Sequence, residues 1–275
     1  MSDVNVLVLT GYGLNCDEET AYAFKLAGAA VQRIHINALI EGQATLADFH
    51  ILVFGGGFSW GDDHGAGVVQ AVRMKTHIGD KMIDFINDGK LVIGICNGFQ
   101  TVVNLGLLPA FDGNYQDRTV ALTNNDCGNF RDQWVNLSVN SDSACVFTKG
   151  LNSFELPVRH GEGKFYAPGL TIERMIAENQ VALRYSLADS NPAEGSFPEN
   201  PNGSLADIAG ICDPSGRVFG LMPHPEAYNH WTNHPDWPLT KERLKRTGED
   251  MPNDLTPGIR LLKNGVDYMR EQISS

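Results

Sequence analysis

The stretch that decides the fold is LVIGICNGFQ, residues 91–100. Its first five residues are a continuous apolar run, which predicts a buried strand over 91–95. A helix is predicted directly afterwards, over 97–105, and the two elements meet at Cys96. Glycines two residues before and after the cysteine let neighbouring backbone segments approach closely. This arrangement is the cysteine version of the nucleophile elbow, a strained corner that presents a reactive side chain.

The residues before this stretch alternate between strand and helix patterns. Apolar runs predict strands over 4–10, 31–36 and 51–54, and helical periodicity predicts a helix over 68–86. Strands that are nearly all apolar and alternate with helices indicate a parallel sheet covered on both faces. The predicted fold class is therefore α/β, with an open, mostly parallel sheet. A first helix is predicted to begin near Asp17, with one face formed by Ala23, Leu26, Ala27 and Ala30.

The second half of the chain lacks long helices between its strands. We interpret it as mixed or antiparallel sheet that extends the first, so that residues 1–275 form a single domain. Residues 186–203 and 228–258 are predicted to be loop-rich, and a final helix is predicted over 259–273. The strands predicted here are 119–123, 134–139, 181–185, 208–211 and 218–222, the last two joined as a hairpin.

Composition excludes several classes of protein. The chain has 275 residues and a net charge of −12, which argues against nucleic acid or an anionic membrane as a partner. The first residues do not resemble a signal peptide, and no apolar run reaches the ~18 residues of a membrane helix. Five widely spaced cysteines without a C-x-x-C pair argue against a disulfide framework or a zinc site. We therefore expect a cytoplasmic protein without a bound metal.

Cys96 is the candidate nucleophile. At the start of a helix its thiolate is favoured by the positive end of the helix dipole, and the backbone N–H of Asn97 points to where an oxyanion would form. The alternative is a buried structural cysteine, which is what a lone cysteine usually is. The flanking glycines and the preceding strand favour the reactive interpretation.

A nucleophilic thiol needs a base, and the sequence offers one in PHPE, residues 223–226. This run follows the predicted strand 218–222, so it lies where a strand ends. The prolines favour extended geometry, and residues two apart in an extended chain share a face. Glu226 can therefore hold the ring of His224 while the other ring nitrogen faces Cys96. Taken alone, the run is also compatible with a surface turn.

A glycine-rich turn follows the predicted strand 51–54 and reads GGGFS, residues 55–59. Such turns often cradle phosphate, but this one lacks the lysine of a P-loop and the G-x-G-x-x-G spacing. The backbone N–H of Gly57 can instead be a second oxyanion donor at the carboxyl ends of the strands. A plain tight turn stays open as an alternative.

Together, the cysteine elbow, the glycine-rich turn and the late His-x-Glu resemble the triad-type (class I) glutamine amidotransferases. More narrowly, the chain resembles the family of glutaminase subunits of phosphoribosylformylglycinamidine synthase. The narrower resemblance rests on a series of motifs in that family's order. They are GLNCD at 13–17, GGGFSWGD at 55–62, NFRDQWV at 129–135, PVRHGEG at 157–163, NPNGS at 200–204 and GLMPHPE at 220–226.

The resemblance implies a flavodoxin-like sheet and specific residue roles. It implies that Cys96 forms a γ-glutamyl thioester, with His224 as acid and base and Glu226 as the residue that orients it. The implied oxyanion donors and substrate contact are Gly57, Asn97 and Gln100, the first two through their backbones.

The resemblance also implies partners. Ammonia released from glutamine would pass to an ATP-dependent synthetase that makes formylglycinamidine ribonucleotide. We expect this synthetase to be a separate large subunit, because no ATP site is recognisable in the chain. ATP and Mg²⁺ are then expected on that subunit and no cofactor on this chain, while a small third subunit stays open. The alternatives are a glutaminase subunit of a different synthetase and a non-catalytic regulatory subunit on the same fold.

Three further residues belong to the family motifs without an obvious role. His160 and Glu162 could be another His–carboxylate pair or metal ligands, but similarity suggests a loop near the glutaminase site or the partner interface. Cys16 is expected to be structural.

The segment 228–258 departs from the family pattern. Ala227 replaces the arginine that commonly follows His-Pro-Glu in the family. His230 and His234 lie four residues apart, but their proline-rich surroundings favour ordinary loop residues over metal ligands. Tryptophan is enriched at interfaces, so the two tryptophans of 228–258 suggest a segment that docks on the partner or covers the site.

Overall fold

The computed structural model describes residues 4–274, which build a nine-stranded mixed sheet and α-helices. The sheet order is β2-β1-β3-β4-β11-β10-β9-β6-β7, and β5 and β8 form a separate two-stranded sheet. The strands are β1 (Asn5–Thr10), β2 (Ala30–His35), β3 (Ile51–Phe54), β4 (Leu91–Ile95), β5 (Ala121–Thr123), β6 (Arg131–Val139), β7 (Phe154–His160), β8 (Lys164–Tyr166), β9 (Val181–Ser186), β10 (Ile208–Cys212) and β11 (Val218–Leu221). The helices are α1 (Asp17–Leu26), α2 (Ile36–Ile40), α3 (Val68–Asn87), α4 (Asn97–Leu105), α5 (Gly169–Ala177), α6 (Trp237–Thr247) and α7 (Pro257–Ser274).

The N-terminal half is the parallel sheet that the sequence predicts. β1 pairs in parallel with β2 and β3, and β3 pairs in parallel with β4. β3 and β4 are buried along their whole length, which explains why their sequences are continuously apolar. Full burial of each Val, Leu or Ile side chain contributes roughly 1.5–3 kcal/mol. This core therefore holds the end of β4, where Cys96 follows, in a fixed position.

The C-terminal half extends the sheet with mixed strands, as predicted. β11 pairs in parallel with β4 and antiparallel with β10, so the hairpin of β10 and β11 inserts beside the centre of the sheet. Leu221 at the end of β11 is in register with Ile95 at the end of β4. Chain segments that leave these two strands therefore start side by side, although they are more than a hundred residues apart in sequence.

Three sequence predictions need correction. The first helix was predicted to have a face formed by Ala23, Leu26, Ala27 and Ala30, but α1 ends at Leu26, which is 38% exposed. Ala30 already belongs to β2, because Gly28 adopts a φ of +90° and ends the helical conformation. The strand predicted over 119–123 is β5, which pairs with β8 outside the main sheet. Strands β7 and β8 and helices α2 and α5 were not predicted. α2 and β8 are short, and α5 has a single buried residue.

The segment 228–258, predicted to be loop-rich, contains α6. Every residue of α6 is at least partly exposed, so no apolar stripe marks it in the sequence. Its ends do carry helix signals: Pro238 in the first turn, Lys245 and Arg246 in the last turn, and Gly248 in the left-handed conformation after it.

The predicted C-terminal helix is α7, one to two residues longer at each end than the prediction. Its apolar side is buried, and Gly258 allows it to approach the backbone of Pro225, where a Cβ would overlap the carbonyl oxygen. The hydroxyl of Thr256 donates a hydrogen bond to the carbonyl of Tyr228. The start of α7 therefore packs against the turn that contains Glu226. Among the helices described within 4–274, none combines the length and apolarity that a membrane span requires.

Candidate active site

Cys96 occupies the corner between β4 and α4. Its φ of +51° is unusual for a residue with a side chain, and such strain is typical of a nucleophile elbow. Its backbone N–H donates to the carbonyl of Leu221 at 2.9 Å. A Cβ on Gly94 would lie 2.7 Å from the carbonyl oxygen of Gly98, and one on Gly98 would overlap the carbonyl of Phe54. Both flanking glycines are thus required by close backbone contacts, as the sequence predicts.

His224 and Glu226 form a buried pair just beyond β11. The Nδ1 atom of His224 lies 2.6 Å from Oε1 of Glu226, and both side chains are almost fully buried. The backbone N–H of His224 donates to the carbonyl of Pro157 at 2.8 Å, which fixes the chain leaving β11 against β7. Burial alone would lower the pKa of His224, but the Glu226 carboxylate and the nearby side chains of Cys96 and Cys16 raise it well above the usual 6.5.

The sulfur of Cys96 lies near this imidazole and near the end of β7. Cys96 contributes to the raised pKa of His224, which indicates that the two side chains are neighbours. The same sulfur lies 3.6 Å from the carbonyl oxygen of Arg159, near the end of β7. The arrangement provides a thiol, an imidazole and a carboxylate in series, which can activate a nucleophile and move one proton.

Cys16 also lies at this imidazole, which the sequence did not predict. One side-chain atom from each of Cys16, His224 and Glu226 lies within 4.8 Å of the other two. Burial raises the pKa of Cys16, although its interaction with His224 opposes the rise. A Cβ on Gly56 would lie 2.8 Å from Cε1 of His224 and 3.2 Å from the sulfur of Cys16. The three side chains are close enough to coordinate a metal ion. However, His224 and Glu226 already contact each other at 2.6 Å, in a geometry suited to proton transfer.

The predicted oxyanion donors, Gly57 and Asn97, lie on the two segments that flank Cys96. Gly57 has a φ of +143°, and a Cβ there would lie 2.6 Å from the carbonyl oxygen of Gly13. Asn97 is the first residue of α4 and is fully buried. Its side-chain oxygen accepts a hydrogen bond from the backbone N–H of Ser59 at 3.2 Å. This bond ties the glycine-rich turn after β3 to the start of α4.

Gln100 is joined to the loop after β7. Its side-chain Nε2 donates to the backbone carbonyl of Glu162, and its Oε1 accepts from Nδ2 of Asn97 at 3.0 Å. The carboxylate of Glu162 accepts from the backbone N–H of Ala66 at 3.2 Å. Asn97 Nδ2 also donates to Oδ1 of Asp62 at 3.0 Å, a residue that sequence reasoning did not single out.

His160 lies in a buried amide network next to the site. Its Nδ1 lies 3.1 Å from Oδ1 of Asn125, and its Nε2 lies 3.4 Å from Nδ2 of Asn202. The amide nitrogen of Asn202 can only donate, so Nε2 accepts and Nδ1 carries the proton. Burial, together with the positive charge of His224, lowers the pKa of His160 to about 3. His160 is therefore neutral, and a ring with so low a pKa is a weak base.

His230 and His234 do not come together. His230 Nδ1 contacts the hydroxyl of Thr232 at 2.7 Å within a short 3-10 turn. His234 Nε2 lies 3.1 Å from a carboxylate oxygen of Glu155. They have separate partners, which agrees with the prediction of ordinary loop residues.

The chain is similar to several known proteins. Residues 3–269 match the family described as the CobB/CobQ-like glutamine amidotransferase domain. The phosphoribosylformylglycinamidine synthase subunit PurQ of Methanococcus maripaludis is 45% identical over 97% of this chain and 97% of the relative. The subunit of the same name from Dehalococcoides mccartyi is 43% identical over 98% of this chain and all of the relative. The solved structure of PurLQS from Thermotoga maritima contains a chain with a TM-score of 0.70 and 26% identity, covering 97% of this chain and 99% of that one.

Proposed function

Because the chain belongs to the CobB/CobQ-like glutamine amidotransferase family and matches its PurQ members over nearly their full length, we propose that it is the glutaminase subunit of a phosphoribosylformylglycinamidine synthase. In this role it hydrolyses glutamine to glutamate and supplies the ammonia to a synthetase that makes formylglycinamidine ribonucleotide in purine biosynthesis. The alternative of a non-catalytic subunit is disfavoured because thiol, imidazole and carboxylate are all present and adjacent.

The first half of the reaction forms a thioester. The sulfur of Cys96 attacks the side-chain amide carbon of glutamine, and Nε2 of His224 takes up the thiol proton. The negative charge that develops on the amide oxygen is stabilised by the backbone N–H groups of Gly57 and Asn97. The C–N bond then breaks, His224 gives its proton to the leaving nitrogen, and ammonia departs from the γ-glutamyl thioester.

The second half hydrolyses the thioester. His224, now neutral, takes a proton from a water molecule that attacks the thioester carbon. When the intermediate collapses, the C–S bond breaks, the proton returns to the sulfur, and glutamate is released. Glu226 stays a carboxylate throughout, holding Nδ1 of His224 and stabilising the imidazolium that forms twice per cycle.

One observation carries this proposal. The strand order inserts β11 beside β4, and a histidine already paired at 2.6 Å with a buried carboxylate therefore lies next to a cysteine at an elbow. Two local motifs separated by more than a hundred residues thus come together in the order thiol, imidazole and carboxylate, which acyl transfer requires.

The ammonia acceptor is proposed to be another chain. The name of the solved relative, PurLQS, supports an assembly of subunits, in which a large synthetase subunit would hold ATP and Mg²⁺ and a small third subunit would take part. We place the segment 228–258 at this interface or over the site. It begins directly after the turn of Glu226, whose carbonyl accepts from the side chain of Asn229, and its helix α6 has no buried residue.

The test is the variant Cys96→Ala in the assembled synthetase. Glutamine-dependent synthesis should fall by about 10⁴-fold or more, as expected for loss of a nucleophile, whereas synthesis from added ammonia should persist. A glutamine-analogue electrophile should label Cys96 in the wild type. The matched control is Cys127→Ala, which removes an exposed thiol and should change neither activity. Normal glutamine turnover in Cys96→Ala, or loss of both activities, would contradict the assignment.

A further inference from the structure

Two carboxylates lie on either side of the residues that follow the proposed nucleophile. Asp62 accepts a hydrogen bond from Nδ2 of Asn97, and the same amide nitrogen donates to Oε1 of Gln100, each at 3.0 Å. Gln100 in turn donates to the backbone carbonyl of Glu162. Asp62, through its carboxylate, and Glu162, through its backbone carbonyl, are thus bonded to consecutive members of one hydrogen-bonded chain, which begins one residue after Cys96.

The two carboxylates repel each other. Burial, followed by the negative charge of Glu162, raises the pKa of Asp62 to about 6, against the effect of its bond from Asn97. Within residues 4–274 neither carboxylate forms an ion pair with a lysine, arginine or histidine. Two adjacent carboxylates without a cation form an environment that a positively charged group would stabilise.

Independent features indicate that a ligand belongs here. The hydroxyl of Ser59 is buried and has no hydrogen-bond partner among the described residues, although its own backbone N–H donates to Asn97. An uncompensated buried hydroxyl costs about 1–3 kcal/mol, so a missing partner is expected. A cavity of about 430 Å³ is lined by Asn124, Asn125, Gly128, Asn129, Phe130, Gly161 and Glu162. The ring of Phe130 lies 6.3 Å from that of Phe58, the residue before Ser59.

The backbone conformation also holds Asp62 in place. Trp60, Gly61 and Asp62 all have positive φ, between 54° and 69°. Such a left-handed run is costly for residues with side chains and persists only where the surrounding structure enforces it. The turn thereby directs a carboxylate towards Asn97 instead of leaving it in solvent.

Resting on the proposed glutaminase function, we propose that Asp62 and Glu162 together bind the α-ammonium group of the substrate glutamine. An ammonium group has three N–H donors and one positive charge, which match two carboxylates. The spacing between Cys96 and Gln100 along α4 is similar to the length of the substrate. Gln100 lies one helical turn beyond Cys96, about 6 Å along the axis, and the amide carbon and α-nitrogen of an extended glutamine are about 5 Å apart by standard bond lengths. The pair would then select a free amino acid over other primary amides.

The experiment compares glutamine with its analogue that lacks the α-amino group, 4-carbamoylbutanoate, in the assembled synthetase. The variants are Asp62→Asn and Glu162→Gln, which keep shape and hydrogen-bond acceptance, and asparagine tolerates the left-handed backbone at position 62. We expect each variant to raise KM for glutamine about tenfold or more, since bonds between charged groups are at stake, and to change KM for the analogue less than threefold. Asp63→Asn, an exposed neighbour, is the matched control and should change neither value.

The outcomes separate this proposal from the proposed function. If the variants lower kcat equally for both substrates, the carboxylates have only a structural role, and the ammonium proposal fails while the glutaminase function stands. An unchanged KM for glutamine also overturns it. The rate at which uncharged iodoacetamide alkylates Cys96 shows whether the site is still folded in each variant. If the wild type does not hydrolyse glutamine, or Cys96→Ala does, the proposed function fails and the ammonium pocket fails with it.

Discussion

His224 and His160 lie in neighbouring regions of the same site, are both only 2% exposed, and nevertheless carry opposite charge preferences. His224 bonds a carboxylate, and its pKa is raised well above 6.5. His160 bonds the side-chain amides of Asn125 and Asn202, and its pKa is lowered to about 3. Equal burial penalises the charged form in both. The hydrogen-bond partner therefore decides which histidine can hold a proton.

The two regions depend on each other. A second imidazolium beside His224 would compete for the same carboxylate and lower its proton affinity. The amides around His160 prevent this by favouring the neutral ring. The same network anchors the loop after β7, because Asn125 accepts from the backbone N–H of Gly163 at 2.9 Å and Asn202 donates to the carbonyl of Gly163 at 2.9 Å. The neutral region thus positions the loop that contacts Gln100, and the charged region performs the proton transfers we propose.

The largest effect is expected from Glu226→Gln, which gives His224 the kind of partner that His160 has. Without the carboxylate, burial should dominate and the pKa of His224 should fall. The glutaminase kcat should drop by roughly 10²–10⁴-fold, as when the orienting carboxylate of a catalytic triad is neutralised. The measurements are kcat with glutamine and the pH titration of the imidazole by NMR.

The chain offers a matched control for this change. Glu155 of β7 pairs at 3.1 Å with His234 of the segment 228–258, which forms a second His–carboxylate contact. Glu155→Gln removes the same charge and should leave the kcat of the glutaminase reaction within about threefold. An unaltered kcat in Glu226→Gln would show that the carboxylate does not control His224.

A smaller effect is expected on the free energy of unfolding, and it tests the other member of the comparison, His160. The folded-state pKa of His160, about 3, lies below its unfolded value near 6.5, so between these pH values the unfolded chain binds a proton that the folded protein does not. The contribution of His160 is present above pH 6.5 and is lost as the pH falls, by about 1.4 kcal/mol per unit. His224 has the opposite sign, because its raised pKa contributes stability below 6.5 that is lost as the pH rises through its folded pKa.

Denaturant unfolding of the wild type and His160→Gln between pH 7 and pH 4 measures this contribution. The wild-type free energy of unfolding should fall more steeply with acid than that of the variant. His77→Gln, an exposed position on α3, should keep the wild-type slope. Parallel slopes for wild type and His160→Gln would mean that His160 is protonated in the folded state.

Sequence reasoning predicted the three residues at the centre of the candidate site well and the residues around them poorly, for a physical reason. β4 and α4 have the predicted bounds because a strand buried on both faces and a helix begun at a glycine-flanked corner leave local patterns. Cys96, His224 and Glu226 were predicted to meet because each lies where an apolar strand ends. Cys16 and Asp62 were not assigned to the site, because their neighbours are set by the order of strands in the sheet. That order appears only when the chain is folded.

The smallest effect is expected from Cys16→Ala, which removes a partner of His224 that His160 lacks. The Cys16 thiol is held at the imidazole from the N-terminal side, where β1 lies next to β3 in the sheet. Its interaction with His224 favours the charged ring and raises the pKa of His224. Its loss should lower the pKa of His224 and reduce kcat by about 2- to 10-fold, the size of one ordinary hydrogen bond.

The pH profile of kcat separates this role from packing. If Cys16 acts through His224, the limb that reports the histidine should move, whereas a purely structural cysteine, as the sequence predicted, would scale kcat at every pH alike. Cys127→Ala, an exposed thiol, should leave both the limb and the height unchanged. A shifted limb would make the charge of His224 the joint product of a carboxylate and a thiol, and a fixed limb would leave Glu226 as the one partner that distinguishes the two histidines.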